Sequence, residues 1–217
     1  MKLVERLLDL LYPPRCVFCR KIMDSSLEPV CKKCDERLPR TQGAGQCQKL
    51  PFIQKCVSPL YYEDLVRDSF LRYKFNGATG YSGIYAEYIA KSVDENGITC
   101  DIITWVPLSR RRLRSRGYDQ ARLLAEAVAK HLNVECCALL TKTVNNPAQS
   151  GTGSAAKRRA NVSGVYIAKN AEKFSGKSVL LIDDIVTTGS TLSECAGVLR
   201  AAGAAKLAAA TLARKRE

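Results

Sequence analysis

Long apolar runs are missing from this sequence of 217 residues. No stretch approaches the roughly 18 consecutive apolar residues that a membrane-spanning helix needs. The N-terminus also lacks the ordered basic, apolar and small-residue regions of a secretory signal peptide. We therefore expect a protein without a membrane span that works in the cytoplasm.

Aromatic residues and histidine are scarce as well. Aromatic side chains make up 7% of the chain, too few for an evident platform on which nucleic-acid bases would stack. No motif that reads base edges is present. The single histidine, His131, falls late in a predicted helix, and we expect it at the surface rather than in catalysis. Any contact with nucleic acid would therefore be made to the backbone.

Positive charge and cysteine are abundant instead. The formal net charge is +13, which favours an anionic partner such as nucleotide phosphates, pyrophosphate or a nucleic-acid backbone. Ten cysteines concentrate early in the chain, partly in CxxC pairs, and in a cytosolic protein this indicates metal binding, with disulfides as the weaker alternative. With 46% apolar content, the chain is long enough for one catalytic-sized domain and a small appendage.

Beyond residue 57 the apolar pattern alternates between helix and strand periodicity. It predicts helices at 63–75, 80–93, 118–132 and 188–202 and strands at 102–106, 178–182 and 207–212. This alternation predicts an α/β fold, a mostly parallel sheet flanked by helices. Residues 1–57 are assigned to a separate N-terminal helix and zinc module, and residues 58–217 to the larger domain.

The N-terminal module has little periodic apolar content of its own. An amphipathic helix is predicted at 1–11, docked on the protein or, as the alternative, on a membrane surface. From residue 16 to about 56 the chain is rich in Cys, Pro, Gly and Lys. The prediction is that metal rather than an apolar core holds this part together.

Two CxxC pairs, separated by eleven residues, provide four thiols: Cys16, Cys19, Cys31 and Cys34. This spacing lets each pair present two sulfurs to one tetrahedral Zn²⁺, with free thiols or a disulfide pair as alternatives. With four cysteine ligands no coordination position stays open, so the zinc is predicted to be structural. Cys47 and Cys56 have no CxxC partner, and whether either contributes is left open, buried free thiols being the simpler interpretation.

Residues 179–191, VLLIDDIVTTGST, combine an apolar strand, two acids and a turn that opens a helix. Backbone N–H groups at a helix N-terminus, with the hydroxyls of this turn, suit a phosphate monoester, and Gly189 allows close backbone approach. Asp183 and Asp184 suit the vicinal hydroxyls of a sugar and Mg²⁺. Together these features describe a site for ribose 5-phosphate, with an ordinary strand and capped helix as the alternative.

The predicted strand at 102–106 is followed by a strongly basic segment, PLSRRRLRSRGYDQ, which has five arginines within seven residues. Guanidinium groups bind anions in a bidentate manner, so this segment suits pyrophosphate; a solvated charge run is the alternative. Residues 145–161, rich in Gly, Ser and Ala at their start, have the composition of a lid that closes over the site and excludes water.

These segments carry two resemblances. Residues 179–191 closely resemble the phosphoribosyl-diphosphate motif of type I phosphoribosyltransferases. Over essentially its whole length the chain resembles the ComF family of competence proteins, through LYPPRC, the CxxC pairs, LRYKFNG, VPLSRRRLRSRGYDQA, the 149–161 segment and VLLIDDIVTTGST. Ser109 and Asp119 depart from the His and Asn of that family, which affects the predicted pyrophosphate loop but not the fold.

The resemblance implies a type I phosphoribosyltransferase fold and a displacement at ribose C1 in which pyrophosphate leaves and Mg²⁺ carries part of its charge. It implies that the 5-phosphate is bound by Thr187, Thr188, Gly189, Ser190 and Thr191. Asp183 and Asp184 are predicted to hold the ribose hydroxyls and Mg²⁺, and Arg112 and Arg116 the pyrophosphate. Further substrate contacts are predicted from Lys74, Pro107, Leu108 and Ser109.

Several hypotheses of function remain open at this point. In the first, the chain is a phosphoribosyltransferase-like protein that binds phosphoribosyl diphosphate and acts in natural transformation, with turnover uncertain. In the second, it is a non-catalytic adaptor that binds single-stranded DNA and keeps the pocket for sensing or stability. A third treats the zinc module as a docking surface for a DNA-uptake helicase or a recombination mediator. The acceptor of the phosphoribosyl group is not predicted.

Overall fold

The computed structural model describes residues 13–24, 28–42, 47–143 and 165–216, and of Cys47 the backbone alone. The predicted helix at 1–11 and the predicted lid at 145–161 lie outside these residues. In the ranges that are described, none of the helices has the length and apolar character needed to cross a bilayer.

The described residues form nine strands in two sheets. The strands are β1 (Cys47–Leu50), β2 (Ile53–Val57), β3 (Leu60–Tyr61), β4 (Ile102–Trp105), β5 (Glu135–Cys136), β6 (Leu140–Lys142), β7 (Tyr166–Ala168), β8 (Ser178–Val186) and β9 (Lys206–Arg214). The large sheet has the order β1-β2-β9-β8-β4-β5, with β3 also beside β9, and β6 pairs with β7 in a small antiparallel sheet. In the large sheet only the β1–β2 hairpin is antiparallel.

Helices cover both faces of the large sheet. They are α1 (Lys32–Arg37), α2 (Asp64–Phe75), α3 (Tyr81–Glu95), α4 (Arg110–Arg116), α5 (Gln120–Leu132), α6 (Ala171–Phe174) and α7 (Ser190–Ala201). Along β8, Leu180 and Ile182 pack with α2, α3 and α5 on one face, while Val179 and Leu181 pack with α6 and α7 on the other. A parallel strand buried on both faces needs a continuous apolar run, which is what β8 has. The predicted fold class is confirmed.

The first CxxC segment is anchored on helices of the main domain. Phe18 is buried, and its ring centroid lies 6.4 Å from that of Tyr85. The carbonyl oxygen of Val17 accepts hydrogen bonds from the Ser69 hydroxyl at 2.7 Å and from Arg72 at 3.0 Å. The prediction that metal rather than a core holds this segment is therefore wrong about the core, because its two apolar residues belong to the main core, whereas its four cysteines do form a group that could hold a metal ion.

Residues 47–61 form strands that the sequence did not predict. β2 pairs in parallel with β9, from Lys55 opposite Ala208 to Val57 opposite Ala210. The segment has no clear alternation of its own, and its strand conformation depends on a partner from the far end of the chain. The division of the chain at residue 57 stays a prediction.

Two elements near the expected site differ from the prediction. β8 extends beyond residue 182 to Val186, so Asp183 and Asp184 lie inside the strand, because β9 continues to pair with it. α4 is a helix where a basic loop was predicted, although none of its residues is buried. It is delimited by its ends: the Ser109 hydroxyl accepts the Arg112 N–H at 3.4 Å, and Gly117 ends the helix with φ of 79°.

Candidate functional site at the carboxyl edge of β4 and β8

The parallel register of β4 and β8 brings the acidic and basic segments to one edge of the sheet. Trp105 lies opposite Ile182, and the Val106 N–H donates to the Ile182 carbonyl oxygen at 2.9 Å. The chain leaves β4 into residues 107–119 and leaves β8 into residues 187–189 on the same side. Ligands of open α/β sheets bind at the carboxyl ends of the strands, so this edge is the candidate site.

Asp183 and Asp184 stand at this edge with little positive charge around them. The Lys74 ammonium lies 3.6 Å from a carboxylate oxygen of Asp184. Burial, followed by repulsion from the Asp184 carboxylate, raises the pKa of Asp183 well above its usual range, and the Asp184 N–H and Lys74 offset only part of this rise. The negative charge of two adjacent carboxylates is therefore only partly neutralised, and a cation would stabilise it. Carboxylate oxygens are the ligands that Mg²⁺ prefers, so the residues present fit this ion.

A third carboxylate, that of Asp119, lies within electrostatic reach of the pair. Its two oxygens accept the Leu108 N–H at 3.1 Å and the Arg122 N–H at 3.2 Å, which caps α5. Burial raises the pKa of Asp119, these hydrogen bonds lower it, and the charge of Asp184 raises it further. Asp119 therefore fixes the segment after β4. Its position directly before a helix was the sequence signal for this role, which the sequence analysis did not assign.

The turn after β8 is open to solvent on its hydroxyl side. Thr187, Thr188 and Ser190 are exposed, and the Thr188 and Ser190 hydroxyl oxygens lie 2.8 Å apart. Gly189 has φ of 73°, and a Cβ there would collide with the side chain of Leu50 from β1. Only glycine meets both constraints at this position. The turn lines a small cavity of about 50 Å³ that also reaches Asp183.

The remaining residues predicted to bind the substrate line two further cavities. A cavity of about 310 Å³ is lined by Lys74, Phe75, Arg112, Ser115 and Arg116. The structure thus brings Arg112 and Arg116, predicted to bind pyrophosphate, together with Lys74, a further predicted substrate contact, and the Arg116 guanidinium lies 5.2 Å from the Phe75 ring. Pro107, Leu108 and Ser109 line a different cleft of about 850 Å³ on the other side of α4.

Lys142 is a basic residue near the acids that sequence analysis missed. Its ammonium donates to the Tyr166 hydroxyl at 3.0 Å across the β6–β7 pair. Burial lowers the pKa of Lys142, the nearby Arg112 lowers it further, and acidic groups that include Asp183 oppose the shift. Lys142 sits in a three-residue strand without a motif around it, so no sequence signal pointed to it.

The four predicted zinc ligands form one group. The sulfur atoms of Cys16, Cys19, Cys31 and Cys34 all lie within 4.8 Å of one another. Burial, followed by the neighbouring thiols, raises the pKa of Cys34. Cys56 is buried in β2 and is not a member of the group, and the side chain of Cys47 lies outside the described residues. The donor set and the closed geometry fit a structural Zn²⁺.

Comparison with known families agrees with this architecture. Residues 119–217 match the phosphoribosyl transferase domain, and residues 7–61 match the double zinc ribbon domain. The acidic pair and the glycine turn lie in the region that matches the phosphoribosyl transferase domain. The four-cysteine group lies in the region that matches the double zinc ribbon domain. The chain thus combines a phosphoribosyl transferase domain with a zinc ribbon, which supports the assignment of structural zinc.

Several known proteins are similar to this chain over most of its length, beyond the two separate domain matches. Competence protein F of Haemophilus influenzae is 27% identical over 92% of this chain and 96% of its own length, and Bacillus subtilis ComFC is 26% identical over 92% and 77%. The DNA utilization protein YhgH of Escherichia coli is 28% identical over 88% and 86%. Among solved structures, adenine phosphoribosyltransferase from Thermoanaerobacter pseudethanolicus aligns with 78% of this chain and 95% of its own at 17% identity and a TM-score of 0.41. The chain is a homologue of the ComF and ComFC competence proteins.

Metal analysis tests the zinc assignment. A preparation made without chelators is expected to contain about one zinc per chain, and a strong chelator should lower its melting temperature, because the binding free energy of structural zinc contributes to folding. Cys34→Ser should lose the metal, whereas Cys100→Ser, outside the cysteine group, should keep it. A metal-free protein that melts at an unchanged temperature would remove the assignment.

The raised pKa of Asp183 predicts a specific pH dependence of stability. A carboxyl group with a folded-state pKa above its unfolded-state pKa favours folding when protonated, so its contribution is lost as pH rises from the usual Asp range through the raised value. Asp183→Asn should therefore stabilise the free protein near neutral pH and have little effect at acid pH, as measured by denaturant unfolding over a pH series. Asp94→Asn, at an exposed site, should show no such trend. A constant difference at all pH values contradicts the prediction.

Proposed function

We propose that the chain binds phosphoribosyl diphosphate with Mg²⁺ at the carboxyl edge of β4 and β8, as a phosphoribosyltransferase-like protein of the competence type. The observation that carries the proposal is the partly buried Asp183–Asp184 pair, whose charge Lys74 compensates only in part and which lies two residues before a glycine turn with exposed hydroxyls. The match of this region to the phosphoribosyl transferase domain and the names of the relatives support it.

Each part of the ligand has proposed partners in this arrangement. The 5-phosphate is assigned to the turn and the start of α7, residues 187–191, and the ribose hydroxyls and Mg²⁺ to Asp183 and Asp184. Pyrophosphate is assigned to Lys74, Arg112 and Arg116, which share one cavity. Pro107, Leu108 and Ser109 stay proposed as substrate contacts from the adjoining cleft.

The proposed reaction is a displacement at ribose C1. A nucleophile forms a bond to C1 while the bond to the pyrophosphate oxygen breaks, and its electron pair leaves with pyrophosphate. Bound Mg²⁺ would neutralise part of that charge. The protein contributes position and charge, with guanidinium and ammonium groups beside the leaving group and carboxylates beside the sugar. His131 is exposed near the end of α5 and has no role in this proposal.

Ligand-induced stabilisation tests the proposed binding. Phosphoribosyl diphosphate with Mg²⁺ should raise the melting temperature, since ligand at about a hundredfold over its dissociation constant adds about 2.7 kcal/mol to the free energy of unfolding. The double variant Asp183→Asn with Asp184→Asn should lose this response. The matched control is Asp94→Asn with Glu95→Gln, an adjacent acidic pair at the exposed end of α3, which should respond as the wild type does. Equal responses in all three proteins would exclude the pair from the site.

A second candidate function is binding of a single-stranded DNA backbone. The observation that favours it is α4, which has no buried residue and carries Arg110, Arg111, Arg112, Arg114 and Arg116. Among the described residues, no carboxylate lies within ion-pair distance of these five guanidinium groups. An uncompensated row of guanidinium groups suits a chain of phosphates, and relatives are named for competence and DNA utilization. A DNA-uptake helicase or a recombination mediator remains a proposed partner of the zinc ribbon.

Salt dependence tests the second candidate. The affinity for a single-stranded oligonucleotide should fall steeply with salt, with a slope that reports the number of phosphate contacts. Arg111→Glu with Arg114→Glu should reduce that slope by about two while leaving stabilisation by phosphoribosyl diphosphate intact. Arg67→Glu with Lys206→Glu makes the same charge change at exposed positions away from α4 and should have a smaller effect. If the salt dependence of oligonucleotide affinity is the same in this double variant as in the wild type, α4 is not the surface that binds DNA.

A further inference from the structure

A buried glutamine beside the cavity of Lys74, Arg112 and Arg116 has no role in the function proposed so far. Gln120 is the first residue of α5, only 1% of it is exposed, and it is not part of the cavity wall. A buried side-chain amide needs partners for its oxygen and for its N–H groups, so its contacts show what it holds in place. The inference drawn from them rests on the proposed function, because it concerns the cavity assigned to pyrophosphate.

The amide oxygen of Gln120 orients Arg116. It accepts a hydrogen bond from a guanidinium N–H of Arg116 at 3.0 Å, and the same guanidinium lies 5.2 Å from the Phe75 ring. Among the described residues, no carboxylate lies within ion-pair distance of Arg116. A neutral oxygen and an aromatic ring therefore fix the direction of this side chain and leave its positive charge available to an anion in the cavity.

The amide nitrogen of Gln120 holds the end of α2. It donates to the Lys74 carbonyl oxygen at 3.1 Å, in the last turn of the helix, where main-chain oxygens have no partner within the helix. Two more hydrogen bonds join the same segments. The Tyr73 hydroxyl donates to the Gln120 carbonyl oxygen at 2.8 Å, and the Tyr118 hydroxyl donates to the Tyr73 carbonyl oxygen. The backbone that carries Lys74 is thus tied to the side chain that orients Arg116.

Both cations are long side chains whose position depends on such support. The Lys74 ammonium is fixed at its far end by Asp184, 3.6 Å away, and at its backbone by Gln120. Arg116 is fixed at its guanidinium. Ordering lysine and arginine side chains on binding an anion costs conformational entropy, and this cost falls when the side chains are ordered beforehand.

We propose that Gln120 is a positioning residue for the leaving group. Its amide holds the Arg116 guanidinium and the Lys74 end of α2 in a fixed relation across the pyrophosphate cavity, and it does not touch the ligand itself. Loss of the amide leaves Arg116 without its acceptor and the Lys74 carbonyl oxygen without its donor. Pyrophosphate then binds more weakly, whereas the turn after β8, to which the 5-phosphate is assigned, is unaffected.

Separate calorimetric titrations of two parts of the ligand test this role. Gln120→Leu should bind inorganic pyrophosphate with Mg²⁺ about tenfold more weakly than the wild type and ribose 5-phosphate with unchanged affinity. A general loss of structure would weaken both, so the affinity for ribose 5-phosphate also reports that the variant is folded.

A second variant decides the question if Gln120→Leu does not fold. Gln120→Glu keeps an oxygen beside Arg116 but pairs its charge with a carboxylate, so it should weaken pyrophosphate by a similar factor. The matched control is Asn96→Leu. The Asn96 amide donates to the Ser92 carbonyl oxygen at 2.8 Å at the end of α3, outside the cavity wall, and its loss should leave the binding of both anions unchanged.

A double-mutant cycle shows whether Gln120 acts through Arg116. Arg116→Ala should weaken pyrophosphate by itself, and adding Gln120→Leu to it should have much less effect than in the wild type. The inference is overturned if the Gln120 variants bind pyrophosphate like the wild type, if ribose 5-phosphate weakens by the same factor, or if the two substitutions are additive. In each of these cases the wild type still binds both anions and the proposed function stands, whereas a wild-type protein that binds neither anion rejects both proposals.

Discussion

The parallel pairing of β4 with β8 is the constraint on which the candidate site depends. It sets Trp105 opposite Ile182, so the segment after β4 and the segment after β8 leave the sheet side by side. The carboxylates and the glycine turn belong to β8 and the segment after it, and the arginines of α4 belong to the segment after β4. Without this register the segment after β4 would not lie beside Asp183, whose burial already favours its protonated form. Catalytic and binding sites commonly concentrate such unfavourable charge, and here the fold holds it in place through backbone hydrogen bonds.

The zinc ribbon is integrated with this arrangement through packing. Phe18, between two cysteines of the group, lies against Tyr85, and the neighbouring carbonyl oxygen of Val17 is held by Ser69 and Arg72. Residues that would otherwise only separate metal ligands therefore help to fill the space between α2 and α3. Helix α2 also carries Lys74, 3.6 Å from Asp184. The cysteine group and the acidic pair thus pack against one helix.

The sequence predicted what local patterns determine. The apolar run of β8, the acidic pair and the helix after the glycine turn all follow from short-range signals, as do the four cysteines. It did not predict β1 and β2, because β2 pairs with β9, which lies some 150 residues away, and β1 pairs with β2. Nor did it predict α4 as a helix, because that helix has no buried face and depends on its ends. Lys142 and the cleft beside it result from tertiary packing, which periodicity does not encode.

The β1–β2 hairpin has a consequence for how this chain is divided. It falls within the stretch that matches the zinc ribbon, yet β2 pairs with β9 and Leu50 covers Gly189 in the turn after β8. Trimming the chain to the part after residue 57 would uncover β9 from Ala208 to Ala210, where β2 pairs with it, and remove Leu50 from the turn after β8. An uncovered strand edge pairs readily with other strands, so such a fragment would tend to self-associate. The region that matches the zinc ribbon and the region that matches the phosphoribosyl transferase domain therefore contribute strands to the same sheet and are not two units joined by a linker.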